Sequence, residues 1–461
     1  MKIKIISLLI CTLFLVSFFI GLTTAKNIVS INMSVTDSNV DLRGNRDLIK
    51  IIDEDVTCDL DNDFVVYENT TILYIYDIKT GETDNVYVGG NIVFPKISEN
   101  RVVYYDFTYM GFKMYNIDTG EKTDLIVTNW PGGDSDDFQF YDDYIIYENT
   151  DSGLYDTEIF LYNINTGKNI QLTDSPGDDF PENPCIYKNI VAWQLTEGNL
   201  ADIVMYNIDS EKHTRVTNTF QFESETFPSI YGNNIVYSYL YYDKVNGTIL
   251  YGLKMYNITT GDETNILTGE EPTGSTPEIF DNIIAYSEVG VSLRLYDLKT
   301  NNDISIYEGD MLAYPWNLNK LYVLFTIVQD GVYIYKFNNP PNPPEINGPD
   351  SGKPGIEYEY TFNSTDPDGD PVMYFIDWGD NNTEWTEYCD SGEEIILKHT
   401  WDERREYKIK SKAKDTYDAE SNWIYFEVEI PRTRSTLNPL FYWLMEHFPM
   451  MERLLESIKM M

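Results

Sequence analysis

The chain is poor in basic residues and in histidine, and each shortage excludes a class of function. Lys and Arg number 33 against 75 Asp and Glu among 461 residues, so the formal net charge is −42. That charge excludes a protein built to neutralise nucleic-acid phosphates. The three histidines, His213, His399 and His447, lie in separate segments. This scarcity excludes most catalytic and metal sites that are built from several histidines.

Cysteine is also scarce. Cys11 lies in an apolar run near the N-terminus, and the odd number that remains, Cys58, Cys185 and Cys389, falls in different repeat or domain units. A disulfide scaffold is therefore not indicated. We expect these three side chains to act as small buried hydrophobic groups.

The longest apolar run stands at the N-terminus. Lys2 and Lys4 precede an apolar segment from Ile5 to Leu22, and small residues follow it up to Ala25. These are the parts of a secretory signal peptide, which we expect to span residues 1–25. The alternative is an uncleaved membrane anchor, because the run approaches the length that spans a bilayer. Both interpretations place the rest of the chain outside the cytoplasm, secreted or at the cell surface.

A six-residue phrase of the form Tyr-Asn/Asp-Ile-x-Thr-Gly recurs along the chain. Its copies begin at Tyr76, Tyr115, Tyr162, Tyr206, Tyr256 and Tyr296, and a truncated copy ends at Tyr335. A period near 40–50 residues is typical of four-stranded β-propeller blades. A second phrase, such as Pro228–Tyr237 and Pro277–Tyr286, precedes each copy and is rich in β-branched and aromatic residues, which favours buried strands.

Seven copies of each phrase predict an all-β fold with a seven-bladed propeller over residues 47–338, after a linker at 26–46. The seventh unit stops after its third strand, Val332–Tyr335, and the orphan strand Leu48–Ile52 precedes the first unit. We expect these two segments to pair and close the ring, because closure removes an open sheet edge. The alternative is six blades with a decorated end.

These phrases resemble the TolB-like β-propeller repeats of exported bacterial proteins and archaeal surface proteins. The resemblance covers about 290 residues. It implies a propeller and says little about any one function. TolB proteins are usually six-bladed and carry a separate α/β domain, which this sequence lacks.

A second domain follows a Pro-rich linker at residues 339–344, which should act as a short spacer. Alternating strand and turn patterns predict a β-sandwich over residues 345–431. Its segments Ser364–Asp370, Phe375–Asp380, His399–Trp401 and Lys412–Asp415 resemble a PKD (Ig-like) domain, although Arg405-Glu406 stands where that family usually has Gly. The resemblance implies a spacer or adhesion module. Residues 432–461 are predicted to form an amphipathic helical tail, interrupted at Pro449.

In a propeller the long loops emerge on one face, and we expect function there. Exposed aromatic rings beside carboxylates suit a glycan, a peptide or a surface protein as partner. The predicted ligand-binding residues are Trp130, Asp136, Asp178, Asp179, Glu182, Glu225, Tyr241 and Tyr242. The alternative interpretation is a solvated acidic surface. We also expect envelope or membrane association through the N-terminal segment or the tail.

The sequence contains no recognisable catalytic constellation, such as a Gly-x-Ser-x-Gly elbow or a His-rich metal site. We therefore expect a binding protein and no enzyme. The alternative is an extracellular polysaccharide lyase or hydrolase of propeller fold.

Calcium is the one cofactor expected, in the second domain. Asp366, Asp368 and Asp370 cluster hard oxygen ligands in one turn, which calcium prefers, and the PKD resemblance implies Asp415 as a further ligand. The alternative is an Asp-Gly turn whose carboxylates cap backbone amides. Six sequons predict glycosylation in an exported protein: Asn32, Asn69, Asn246, Asn257, Asn363 and Asn381.

Overall fold

The computed structural model describes residues 48–54, 56–128, 138–150, 157–174, 179–198, 200–218, 222–270, 274–288, 292–309, 311–431 and 447. Every element with described bounds is a β-strand, which confirms the all-β class. The predicted signal peptide and the linker at 26–46 lie outside this part, as does the predicted helical tail apart from His447. In the described part, no helix has the length and apolar character needed to cross a membrane.

The chain divides into two compact units between Asn338 and Asn339. In its described residues the first unit holds seven four-stranded antiparallel sheets, an arrangement that fits a propeller. Sheets 1 to 6 each consist of four consecutive strands. They are β2 (Cys58–Asp61), β3 (Phe64–Asn69), β4 (Ile72–Asp77) and β5 (Glu82–Tyr87); β6 (Ile92–Ser98), β7 (Arg101–Asp106), β8 (Gly111–Asn116) and β9 (Lys122–Val127); β10 (Phe138–Tyr141), β11 (Tyr144–Thr150), β12 (Thr157–Asn163) and β13 (Asn169–Gln171); β14 (Asp179–Tyr187), β15 (Ile190–Glu197), β16 (Leu200–Asn207) and β17 (Lys212–Arg215); β18 (Glu223–Tyr231), β19 (Asn234–Asp243), β20 (Thr248–Asn257) and β21 (Glu263–Gly269); β22 (Ser275–Phe280), β23 (Ile283–Glu288), β24 (Ser292–Asp297) and β25 (Asn302–Glu308).

Sheet 7 joins the two ends of the unit. Its strands are β26 (Ala313–Leu318), β27 (Tyr322–Ile327), β28 (Gly331–Lys336) and, from the start of the unit, β1 (Leu48–Ile52). β1 runs antiparallel to β28, with Leu48 opposite Tyr335 and Ile52 opposite Val332. The predicted pairing of these two segments is confirmed. It gives β28 a partner on both sides, so the strand is no longer an open edge.

The recurring Tyr-Asn/Asp-Ile phrase ends the third strand of a sheet and makes the turn into the fourth. The Asn or Asp side chain accepts a hydrogen bond from the backbone N–H three residues later, as Asn163 does from Thr166 at 2.9 Å. The Gly that follows takes a left-handed conformation, with φ +67° at Gly167. In the copies without Gly, Glu211 and Asn301 adopt that conformation instead, at φ 52° and 55°. Side-chain capping and a left-handed residue together produce each turn.

The core of the first unit lies between successive sheets. One buried cluster joins Leu60 and Val65 of sheet 1 to Leu324 and Val332 of sheet 7, and similar clusters join each sheet to the next from sheet 1 to sheet 6. The first strand of each sheet contacts the first strand of the next, and β26 contacts β2. These first strands therefore form a closed inner ring.

The second unit consists of two sheets around one aromatic core. The smaller sheet contains β29 (Glu345–Asn347), β30 (Glu357–Asn363) and β33 (Ile395–Thr400); the larger contains β32 (Thr383–Trp385), β31 (Val372–Asp377), β34 (Glu406–Asp415) and β35 (Ile424–Glu429). Tyr360, Trp378 and Trp401 are almost wholly buried between them. The His399 ring stacks on Trp378 at 4.5 Å. Two antiparallel sheets packed on such a core agree with the predicted β-sandwich.

Candidate functional site

Three of the eight predicted ligand-binding residues, Trp130, Asp136 and Asp178, lie outside the described residues. The other five lie on sheets 4 and 5. Asp179 and Glu182 are on the first strand of sheet 4, Glu225 is on the first strand of sheet 5, and Tyr241 and Tyr242 are on its second strand. They lie toward the end of the unit where these first strands begin and the second strands finish.

The prediction that Glu225 is exposed on a loop is wrong. Its side chain is fully buried within β18, and its Oε1 lies 4.0 Å from Lys254 Nζ. Lys254 also hydrogen-bonds Glu223 and lies 3.1 Å from Glu263. Burial alone would lower the pKa of Lys254, but these carboxylates outweigh it and raise the pKa. Glu225 therefore belongs to a partly buried charge network that spans β18, β20 and β21.

Tyr241 and Tyr242 do not lie on a loop either. β19 and β20 stay paired as a hairpin up to Asp243 and Thr248, with Tyr241 opposite Leu250 and Tyr242 opposite Ile249. Tyr241 is 38% exposed and Val245 at the tip is 91% exposed. The predicted long loop is thus a hairpin that holds its aromatic side chains on paired backbone.

Glu182 lies in a polar chain that connects neighbouring sheets. Its Oε2 accepts a hydrogen bond from Gln194 Nε2 at 3.1 Å, and Gln194 Oε1 accepts one from the backbone N–H of Phe227 on sheet 5 at 3.3 Å. Glu182 is exposed to water yet flanked by protein, and this partial desolvation raises its pKa. A carboxylate of this kind accepts hydrogen bonds from hydroxyl or amine groups of a ligand.

The inner ring contains a polar set that our sequence interpretation missed. One side chain from each of five first strands belongs to it: Asp59, Lys96, Ser229, Glu278 and Asn317. Lys96, Ser229 and Glu278 each follow a Pro, at the variable position of the second repeated phrase. The sequence signal for this polar set was therefore a variable residue inside an otherwise constant motif.

Hydrogen bonds join four members of this polar set in two pairs, each across neighbouring first strands. Asp59 Oδ1 accepts from Asn317 Nδ2 at 2.7 Å, and Ser229 Oγ donates to Glu278 Oε2 at 2.9 Å. Desolvation raises the pKa of Asp59, and it raises the pKa of Glu278 to about 7 despite the hydrogen bond from Ser229 and the positive charge of Lys96. The carboxyl group of Glu278 therefore changes charge near neutral pH.

In the second unit the three predicted calcium ligands of one turn are brought together. Ligand oxygens of Asp366, Asp368 and Asp370 all lie within 4.8 Å of one another. Asp366 Oδ1 accepts the backbone N–H groups of Asp368 and Asp370 at 2.8 and 3.3 Å, whereas its buried Oδ2 has no hydrogen-bond partner among the described residues. Desolvation raises the pKa of Asp366. The arrangement fits a hard divalent cation.

Asp415, the fourth predicted ligand, does not join this group. It is fully buried, and its Oδ1 accepts the backbone N–H groups of Tyr417 and Ala419, each at 2.8 Å. Its Oδ1 therefore caps the turn after β34.

The sequons differ in their surroundings. Asn69, Asn246 and Asn381 are exposed, whereas Asn257 caps its turn and Asn363 Nδ2 donates to the carbonyl of Gly392 at 2.6 Å. Asn32 lies outside the described residues. Among the described sequons, these three exposed side chains are the most open to the predicted glycosylation.

Comparison with known proteins gives structural neighbours only: no family model and no curated protein matches this chain. The PKD domain of an M14-like peptidase from a Thermoplasmatales archaeon is 48% identical, over 21% of this chain and 99% of that chain, with a TM-score of 0.20.

Other neighbours are propellers. The β-propeller domain of the Trilobed protease from Pyrococcus furiosus is 10% identical over 61% of this chain and 92% of that chain, with a TM-score of 0.45. A TolB from Agrobacterium tumefaciens is 13% identical over 62% and 90%, with a TM-score of 0.33. The extracellular domain of a one-component system from B. thetaiotaomicron is also among the neighbours, 13% identical over 83% of this chain and 59% of that chain, with a TM-score of 0.38.

The comparisons contradict the expectation that this chain is no enzyme. An acylaminoacyl peptidase from Pyrococcus horikoshii is among the neighbours, 11% identical over 66% of this chain and 57% of that chain, with a TM-score of 0.45. The match covers only the propeller part of that enzyme.

Proposed function

We propose that this chain is an exported protein, secreted or at the cell surface, whose seven-bladed propeller binds a glycan, peptide or protein through its long-loop face. Its second unit would be a PKD domain that acts as a spacer or adhesion module. The observation that carries the proposal is the β19–β20 hairpin, which presents Tyr241 and Val245 to solvent on a rigid support. Glu182 and Glu223 stand at the same end of neighbouring strands. Ring faces beside carboxylates suit ligands with apolar faces and hydroxyl or amine donors.

A glycan and peptide array probed with the purified chain tests this proposal. We expect hits that Tyr241→Ala and Glu182→Gln each weaken. Tyr87→Ala is the matched control, because Tyr87 is 70% exposed on an outer strand far from the hairpin in the sequence. If both variants still bind the same array ligands, the binding site lies elsewhere on the protein. If the native chain binds no array ligand, the proposed binding role is contradicted.

We propose further that the turn of Asp366, Asp368 and Asp370 binds calcium. The support is the buried Asp366 Oδ2 without a partner among described residues, together with the closeness of the three carboxylates. Calcium binding should raise the melting temperature of the chain, since a ligand that binds only the folded state stabilises it. Asp366→Asn should abolish the increase, whereas Asp350→Asn, at an exposed carboxylate, should keep it. An equal increase in both variants would contradict the site.

A further inference from the structure

The larger sheet of the second unit presents aromatic rings to solvent. Side chains alternate along each strand, so Tyr374 and Ile376 of β31 point into the core while Phe375 points outward. Beside it Trp385 is 40% exposed, Trp423 42% and Tyr425 50%. We call these four outward rings, Phe375, Trp385, Trp423 and Tyr425, the aromatic face.

Three of these rings form a continuous row. The Phe375 ring lies 5.1 Å from Trp385 and 5.7 Å from Trp423, centroid to centroid, both in edge-to-face contact. Lys412 lies over the row, with its Nζ 4.9 Å from the Trp423 centroid and 5.9 Å from that of Trp385. Phe375 and Trp385 lie on paired strands and Trp423 directly precedes β35, so little conformational freedom would be lost when a ligand binds. Exposed apolar patches of this kind on a monomer mark interaction sites.

The charges around the aromatic face are largely balanced. β34 places Lys408, Lys410, Lys412 and Lys414 outward, and three of them are already paired: Lys410 with Asp377 at 3.3 Å, Lys412 with Glu420 at 2.5 Å and Lys414 with Asp418 at 2.7 Å. An acidic partner, including the acidic propeller of a second copy, would find few unpaired cations here. The net charge of −42 further opposes an anionic polymer.

We propose that the aromatic face binds a neutral polysaccharide. The apolar face of a sugar ring stacks on an aromatic ring, and its hydroxyls hydrogen-bond to the ammonium and carboxylate groups that flank the row. A neutral polysaccharide needs no unpaired charged side chain on the protein. This requirement agrees with the lysines of β34, three of which are already paired with carboxylates. The second unit would then be a binding module in its own right, in addition to any ligand held by the propeller.

Affinity electrophoresis of the full chain in gels that contain soluble neutral polysaccharides (laminarin, mannan, glucomannan, xylan or dextran) tests the proposal, with alginate as the anionic comparison. We expect retardation by at least one neutral polymer, unchanged when salt is raised from low to high concentration. Trp385→Ala, on an edge strand, and Trp423→Ala should each weaken the retardation on the order of tenfold or more, as loss of a central aromatic contact does. Tyr87→Ala, at a 70% exposed ring outside both proposed sites, should leave it unchanged, whereas a loss caused by Tyr241→Ala alone would place the polymer on the propeller.

Several outcomes would overturn the proposal. Retardation by alginate alone, lost at high salt, would identify an acidic partner. Concentration-dependent self-association that Trp385→Ala removes would identify a second copy of the chain. No retardation by any neutral polymer, or retardation that both folded Trp variants retain, would leave the aromatic face without this function. Unchanged melting temperatures of the variants establish that they are folded.

Discussion

Glu278 offers the sharpest quantitative test of the inner ring. Burial raises its pKa from an ordinary value of 4.5 to about 7. Between these values the folded protein holds a proton that the unfolded chain releases, so the free energy of unfolding falls as pH rises from 4.5 to 7 and is then constant. A difference of about 2.5 pKa units corresponds to at most about 3 kcal/mol.

Glu278→Gln removes the ionisable group and keeps an acceptor for the Ser229 hydroxyl. At pH 5 the variant and the native chain should unfold at similar temperatures. At pH 8 the variant should be more stable, and about 2 °C per kcal/mol in a unit of this size makes the increase on the order of 6 °C. Calorimetry across this pH range measures it, with Glu82→Gln, an exposed outer-strand carboxylate, as the control.

The reasoning would be refuted by a variant that melts at the native temperature at pH 8, or by a difference largest at pH 5. The first result would mean that Lys96 compensates the ionised carboxylate fully. The second would mean that the carboxylate is ionised and stabilising in the folded ring, the opposite of what its desolvation implies.

Three further predictions concern stability. Lys254→Ala leaves the fully buried Glu225 without its cation, so we expect a loss of about 3–5 kcal/mol, measured by chemical denaturation; a loss below about 1 kcal/mol would contradict a buried network. Gly331→Val should destabilise sheet 7 and lower the melting temperature, because Gly331 has φ +144° and a Cβ there would overlap the carbonyl oxygen of Ile52. A variant with the native melting temperature would show that β1 and β28 can shift to accommodate the side chain. Removing residues 48–52 exposes the edge of β28, so we expect a lower melting temperature and concentration-dependent association on size exclusion; a monomer of native stability would mean that the closing strand is dispensable.

The repeated phrases allowed most strands and turns of the first unit to be predicted. A period near 40–50 residues predicts four-stranded sheets. Each repeat contains a turn that needs an Asn or Asp cap and a left-handed residue, and both requirements depend only on a few neighbouring residues. The closing strand was predictable too, since an orphan strand at one end and a missing one at the other leave few alternatives. The β-sandwich followed from strand alternation for the same local reason.

The candidate sites depended on contacts between distant segments. From sequence alone, Glu225 and Glu182 are equivalent acids on neighbouring repeats, but one is buried against Lys254 and the other meets water. Their different surroundings arise from which strands lie beside them. The resemblance likewise implied Asp415 as a fourth calcium ligand, but only the folded structure shows which carboxylates lie close together, and these are Asp366, Asp368 and Asp370.

Sequence by itself thus determined the strands, the turns and the way in which the first unit closes, because backbone preferences act over a few residues. Tertiary structure alone decided which polar side chains are buried, which carboxylates meet, and which aromatic rings face water. Those properties depend on desolvation and distance, which arise only when strands far apart in the chain pack together.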